Sequence, residues 1–266
     1  MTFQADLLFG RTALITGGGT GICRGIALAL AAHGCDVAIM SRSAEHLAPT
    51  ADEIRATGRR AVAVPADVRD PAAVEAAVTR TVEELGGLDI LVNGAAGNFL
   101  CLAEQLSPNG FGAVVDIDLK GTFHCSKAVL PHLKKNGGVV LNISATLHYL
   151  GTPAQLHVAA AKAGVDALTR VLAVEWGPYG IRVNGIAPGP IADTEGVRRL
   201  LDDAAKQRAE KTTPLQRLGL IKDVSDAALF LCSKAASYIT GVTLVVDGGL
   251  WLTSSRPAFA APPEAP

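Results

Sequence analysis

The chain alternates short runs that are apolar almost throughout with stretches of helical periodicity, and this alternation restricts its fold more than any single residue does. The apolar runs are TALIT (Thr12–Thr16), CDVAIMS (Cys35–Ser41), RAVAVPADV (60–68), LDILVN (Leu88–Asn93), GVVLNIS (138–144), IRVNGIAPG (181–189) and VTLVVDGG (242–249). Between them the pattern predicts helices over Ile22–Ala32, Glu45–Thr57, Pro71–Leu85, about Asn109–Leu133, Val158–Trp176, Glu195–Lys211 and Asp223–Cys232. Asp70 is the expected N-cap of the third helix, with Pro71 at its first position. Strands apolar on both faces, separated by helices, form a parallel sheet covered on both sides. Right-handed crossovers make it an α/β, doubly wound, Rossmann-like sheet of seven strands. No linker divides residues 1–252, which read as one domain. The remaining 253–266, rich in Ala and Pro, are expected to be a disordered tail.

A formal net charge of -1 gives no basic field for nucleic acid or an acidic membrane surface. No apolar run is long enough to span a bilayer. Cys23, Cys35, Cys101, Cys125 and Cys232 are odd in number and lack C-x-x-C spacing, so a reduced compartment and no metal site are expected. The cytoplasm is the simplest location, since the chain does not end in a Ser-Lys-Leu address.

In a doubly wound sheet the ligand lies beyond the carboxyl ends of the strands. Chemistry-bearing residues fall at six of those ends. Gly17, Thr20, Gly21 and Ile22 follow the first run, Arg42 the second, Asp67 and Val68 the third. Asn93, Ala95 and Gly97 close the fourth, Ser144 the fifth, and Pro188, Gly189 and Ile191 the sixth. The glycines let backbone amides approach a pyrophosphate at a helix N-terminus. About twenty residues on, where a carboxylate would bind an adenosine ribose, stands Met40-Ser41-Arg42-Ser43. An arginine without a competing carboxylate suits a 2′-phosphate, so NADP(H) is expected rather than NAD(H). The alternative for Arg42 is a solvated loop residue. Cys23, where a smaller residue is usual, is expected to shift the first helix slightly without losing the site.

These motifs resemble the short-chain dehydrogenase/reductase family over nearly the full length. T-G-x-x-x-G at Thr16–Gly21, N-x-A-A-G at Asn93–Gly97, N-I-S at Asn142–Ser144, Lys162, R-V-N at Arg182–Asn184, P-G at Pro188-Gly189 and D-G-G at Asp247–Gly249 match it in order and spacing. Members usually carry a tyrosine four before the lysine and a serine beside the fifth strand. Here those positions are Val158 and Ala145, and the usual asparagine is Asp118. Within the family AAGNFLC (Ala95–Cys101), DIDLKGTFH (Asp116–His124), LAVEWGP (Leu172–Pro178), APGPIADTEG (Ala187–Gly196) and PLQRLG (Pro214–Gly219) resemble peroxisomal-type 2,4-dienoyl-CoA reductases. Those enzymes also lack the tyrosine, and by analogy a peroxisomal location would apply in a cell that has the organelle.

The resemblance implies NADPH-dependent reduction of a 2,4-dienoyl-CoA to a 3-enoyl-CoA in unsaturated fatty-acid β-oxidation. Hydride arriving at C5 drives electrons to the thioester oxygen, and the resulting dienolate is protonated at its α-carbon, where a water suffices. Asp118 would orient that water and Lys162 would hold the nicotinamide ribose. The competing readings are a surface charge for Asp118 and cofactor binding alone for Lys162. Arg69 and Arg199 are candidate partners for the phosphates of an acyl-CoA, or solvated charges. Phe99 is a candidate wall of the acyl channel, or core. Two alternatives stay open: a 3-oxoacyl or ketone reductase whose proton donor is Tyr149, and a catalytically silent NADP-binding protein. His157 is a second candidate donor, or a helix-start histidine capping its own backbone. The helix Val158–Trp176 carries more apolar surface than one stripe, which predicts a subunit interface, with a homotetramer as the family implies.

Overall fold

The computed structural model describes residues 2–200 and 202–253, without the side chains of Arg199 and Leu200. The substrate role expected for Arg199 and the tail from 254 onward therefore lie outside the described residues. Seven parallel strands, β1 (Thr12–Thr16), β2 (Asp36–Ser41), β3 (Ala61–Pro65), β4 (Ile90–Asn93), β5 (Gly138–Ile143), β6 (Ile181–Pro188) and β7 (Thr243–Val246), lie in the order β3-β2-β1-β4-β5-β6-β7. β1 pairs with β2 from Thr12 opposite Asp36 and with β4 from Ala13 opposite Ile90. The winding reverses there, so a crevice opens beyond the carboxyl ends of β1 and β4.

Helices α1 (Gly21–Ala32), α2 (Ala44–Ala56) and α9 (Ile221–Cys232) cover one face. Ile26, Leu30, Leu47, Ile54, Val224 and Leu229 pack there against Ile15, Val37 and Ile39. On the other face α3 (Pro71–Leu85), α5 (Gly121–Asn136) and α6 (Leu156–Trp176) bury Val74, Val78, Val129, Leu133 and Leu172 against Leu14, Leu91 and Val140. Burial of such side chains contributes about 1.5–3 kcal/mol each. The limits of α3 follow from local chemistry. Asp70 accepts from the backbone N–H groups of Ala72 and Ala73, and Gly86 ends the helix at φ 84°.

The helical stretch expected over about Asn109–Leu133 is α4 (Pro108–Val115), a π-helical turn over Asp116–Lys120, and then α5. A π turn rotates the residues within it relative to an α-helix and recurs at functional sites. The segment expected as one helix over Glu195–Lys211 is two, α7 (Glu195–Leu200) and α8 (Asp203–Thr212), because Asp202 caps the second by accepting from Ala205 N–H at 2.7 Å. A short helix α10 (Leu250–Thr253), absent from the sequence pattern, follows β7.

Room for Cys23 comes from the opposite side. The Cys23 thiol is packed against Gly94, at the place where a side chain there would begin. Burial pushes this thiol up to about 12, partly opposed by Lys162, which makes it an unreactive packing group. A Gly94→Ala variant is expected to lose about 1–3 kcal/mol to overpacking, and Cys23→Ala added to it should recover most of that loss in urea unfolding.

Candidate active site

Thr16 ties the ends of β1 and β4 together. Its Oγ1 accepts from the N–H groups of Gly94 and Ala95 at 2.9 and 3.0 Å. Gly17 lies directly alongside, at φ 70°, and a Cβ there would stand 2.9 Å from the Gly94 carbonyl oxygen, so only glycine fits. Beneath the turn Asn93 donates to Ser126 Oγ at 3.0 Å and to Asn142 Oδ1 at 2.9 Å, and Asn142 donates on to Thr169 at 2.9 Å. This buried polar chain fixes the ends of β4 and β5 relative to α5 and α6.

Asp118 and Lys162 meet at the centre of the site. The π turn carries Asp118 inward until it is fully buried, and Lys162 is 6% exposed. The Lys162 ammonium donates to the Ile143 carbonyl at 2.9 Å and stands 3.1 Å from Asp118 Oδ2. Asp118 Oδ1 accepts from Gly97 N–H at 2.8 Å. Oδ2 is buried and has the lysine charge beside it but no aligned hydrogen-bond donor. The surface-charge reading of Asp118 is therefore excluded. A carboxylate buried this completely is tolerated only with a cation and a donor against it, and it has both.

The remaining cofactor candidates surround this pair. Thr20 is the N-cap of α1 and makes no side-chain cap bond. Ser144 is buried at the end of β5; its Oγ has no hydrogen-bond partner, though it lies near enough to Asp166 to help keep that carboxylate ionised. Ile22, Ser144, Pro188, Gly189 and Ile191 line a cleft of about 530 Å³, together with Leu147, Leu150, Val197 and Trp251. Arg42 follows β2, is exposed, and makes no ion pair or hydrogen bond among the described residues. Val68 is buried, and Asp67 beside it is gripped by Arg69 through Nε at 3.0 Å and Nη2 at 2.5 Å. That pairing holds the Asp67 carboxyl below the usual range. Arg69, expected at the substrate phosphates, is thus already engaged by the Asp67 carboxylate after β3.

Three aromatic expectations change. Phe99 does not line the cleft, although Asn98 and Leu100 on either side of it do. Its ring stacks on His157 instead, with centroids 4.3 Å apart and planes at 31°. His157 does not cap its own helix: it is fully buried and neither ring nitrogen has a hydrogen-bond partner. Stacking on Phe99 takes the place of the local capping option. Tyr149 is not placed as an acid either. Its hydroxyl donates to Asp166 at 3.2 Å, and burial together with that carboxylate pushes it up to about 12. A phenol so placed is reluctant to release its proton near neutrality, the opposite of what a general acid requires.

Asp166 escaped the reading of the sequence. It lies one helical turn beyond Lys162 on α6, spacing that puts both on one face, which is the signal that was available. No cluster of His, Cys, Asp and Glu suited to a metal ion occurs among the described residues, nor is any of their helices long and apolar enough to cross a membrane.

Comparison with known proteins agrees with this geometry. The family described as enoyl-(acyl carrier protein) reductase matches residues 17–251. A protein of Danio rerio named peroxisomal 2,4-dienoyl-CoA reductase, (3E)-enoyl-CoA-producing, is 50% identical over 257 residues, covering 96% of this chain and 86% of its own length. The Saccharomyces cerevisiae protein of the same name is 47% identical over 268 residues, 99% of this chain and 92% of its own. Among solved structures, a short-chain alcohol dehydrogenase of Sinorhizobium meliloti superimposes with a TM-score of 0.89 at 39% identity, over 93% of this chain and 99% of that one.

Proposed function

Because this chain belongs to the short-chain dehydrogenase/reductase family, we propose that it reduces 2,4-dienoyl-CoA to 3-enoyl-CoA with NADPH. The observation that carries the reading is the buried Asp118–Lys162 pair beside Val158 and Ala145. A site without a phenol suits a reaction whose proton goes to carbon. The relatives named 2,4-dienoyl-CoA reductase, at 47–50% identity over nearly the whole chain, support the same substrate class.

The residues fit a nicotinamide dinucleotide: a side chain at Gly17 would strike the Gly94 carbonyl and displace the glycine turn at the start of α1, and Ser144 Oγ is a buried hydroxyl without a hydrogen-bond partner among the described residues. Bound there, the cofactor supplies hydride to C5 of the substrate. Thr20 and the first amides of α1 would hold its pyrophosphate, Asp67 and Val68 its adenine, and Asn93, Ala95, Gly97, Pro188, Gly189 and Ile191 its nicotinamide half. Lys162 would hold the nicotinamide ribose and would place positive charge beside the developing dienolate. Asp118, through Oδ2, orients a water whose proton passes to the α-carbon, and solvent reprotonates the hydroxide left behind. Phe99, Arg69 and Arg199 remain the candidates for the acyl-CoA entrance, with Arg69 available only if it leaves Asp67.

NADPH is favoured over NADH because Arg42 is an exposed guanidinium at the end of β2 that makes no ion pair among the described residues, with Asp67 only within electrostatic reach. Arg42→Ala is expected to weaken NADPH binding by about 10–100-fold, the worth of a charge-assisted phosphate contact, and to leave NADH binding unchanged in fluorescence titrations.

The chain works as a homotetramer in this reading. Val171 and Val174 on α6 are 53% and 78% exposed, and Phe123 on α5 is 45% exposed, an apolar surface that a second copy would cover. Light scattering is expected to give the mass of four chains. The five free cysteines suit a reducing compartment, the cytoplasm or, as in the relatives so named, the peroxisome.

The test is an assay of NADPH oxidation with 2,4-hexadienoyl-CoA and, separately, a 3-oxoacyl-CoA. Turnover of the dienoyl substrate is expected. Turnover of the 3-oxo substrate alone would favour a carbonyl reductase, and tight NADPH binding without turnover of either would favour a silent binding protein.

A further inference from the structure

Behind the 144–150 segment that lines the cleft lies a polar node that the reaction does not use. Asp166 is 3% exposed and receives donors from two other elements. His148, with a proton on Nε2, donates to Oδ2 at 2.9 Å, and Tyr149 donates to the same oxygen at 3.2 Å. Thr243 on β7 donates to Oδ1 at 3.1 Å. The His148 side chain is itself only 9% exposed. Burial would raise the Asp166 carboxyl, but the bonds from His148 and Thr243, with the Ser144 hydroxyl close by, outweigh it and hold the group below the usual range.

The segment so anchored is also a wall of the cleft. Ser144, Ala145, Thr146, Leu147 and Leu150 face the cleft, whereas His148 and Tyr149 do not line it and turn back to Asp166. The Tyr149 ring in turn lies 5.5 Å from the ring of Trp251, which also lines the cleft. One carboxylate therefore sets the position of the loop directly and of Trp251 through Tyr149. Neither His148 nor Asp166 touches the volume that substrate would fill.

We propose that Asp166 is a positioning residue which, by anchoring His148 and Tyr149, fixes the 144–150 wall and so determines how the site grips the acyl chain. The proposal rests on the dienoyl-CoA reading for the identity of that chain. It separates grip from chemistry, because Asp118 and Lys162 are held by Gly97 and Ile143, not by this node.

The experiment compares Asp166→Asn, His148→Leu, His148→Gln and Tyr149→Phe with the parent enzyme on 2,4-hexadienoyl-CoA and 2,4-decadienoyl-CoA. Loss of a hydrogen bond to a charged group predicts KM for the ten-carbon substrate about tenfold higher in Asp166→Asn and His148→Leu. The KM rise should be smaller for the six-carbon substrate, while kcat and NADPH affinity stay within about twofold of the parent. His148→Gln keeps a donor of similar reach and should behave like the parent; Tyr149→Phe should be intermediate in KM and unchanged in kcat. Equal KM values in folded Asp166→Asn, His148→Leu and parent would overturn the proposal, as would a loss confined to kcat. Should Asp166→Asn not fold, the His148 pair decides alone. A parent that turns over neither substrate refutes the dienoyl reading, and amide exchange over 144–150 then decides: faster in His148→Leu than in His148→Gln supports the anchor, equal exchange removes it.

Discussion

Replacing Asp118 by asparagine is expected to lower kcat on 2,4-hexadienoyl-CoA by about 10²–10⁴-fold, the span over which a positioned proton-transfer group contributes. The substitution is nearly isosteric, and the amide oxygen can still accept from Gly97 N–H, which stands 2.8 Å from Oδ1. What is lost is the charge at Oδ2, the atom that faces Lys162 without an aligned donor. NADPH binding should therefore survive, and stopped-flow traces should show cofactor bound but slowly consumed. An Asp118→Asn enzyme with parent kcat would remove the aspartate from the reaction.

Lys162→Met should do more damage, and of a different kind. It leaves the Asp118 carboxylate buried without its cation, and breaking one side of a buried pair costs about 3–5 kcal/mol. The fold is thus expected to weaken markedly in urea, with NADPH affinity and kcat both falling. Asp118→Asn added to Lys162→Met should restore much of the stability, since the uncompensated charge is gone, while activity stays low. Additive destabilisation in the double variant would show that the pair is not coupled as the 3.1 Å separation implies.

The contrast between these variants reflects how differently the parts of the molecule are written in the sequence. β1 and α3 can be read to the residue because their limits are set by local chemistry: an apolar run ending in glycines, and Asp70-Pro71 opening a helix closed by Gly86. The doubly wound layering follows from crossover handedness, which acts on every unit alike, whereas the order β3-β2-β1-β4-β5-β6-β7 appears only in the fold. The π turn at Asp116–Lys120 is not legible, since DIDLK has ordinary helical periodicity and only the packing of α4 and α6 around it settles the extra residue per turn. That turn decides whether Asp118 faces solvent or Lys162.

Partners other than the expected ones account for the other differences. Arg69 is two residues from Asp67 and closes on it, so proximity along the chain outweighs a reach toward substrate. Phe99 and His157 are far apart in sequence, and their stacking depends on where α4 places the loop after β4. His148, Tyr149 and Thr243 converge on Asp166 from two elements, a meeting that no spacing encodes. The expectation that Cys23 displaces a helix omitted Gly94, whose missing side chain supplies the space.

The central claim is that a thioester dienolate, protonated at carbon under the control of Asp118, replaces the phenol chemistry that Val158 has removed. The most direct test is the position of deuterium in the product formed from 2,4-hexadienoyl-CoA and NADPH in D2O, read by NMR. The account predicts a 3-enoyl-CoA with one deuterium at C2 and none at C5. A product deuterated elsewhere, or a chain that leaves the dienoyl-CoA intact while consuming NADPH with a 3-oxoacyl-CoA, would contradict it.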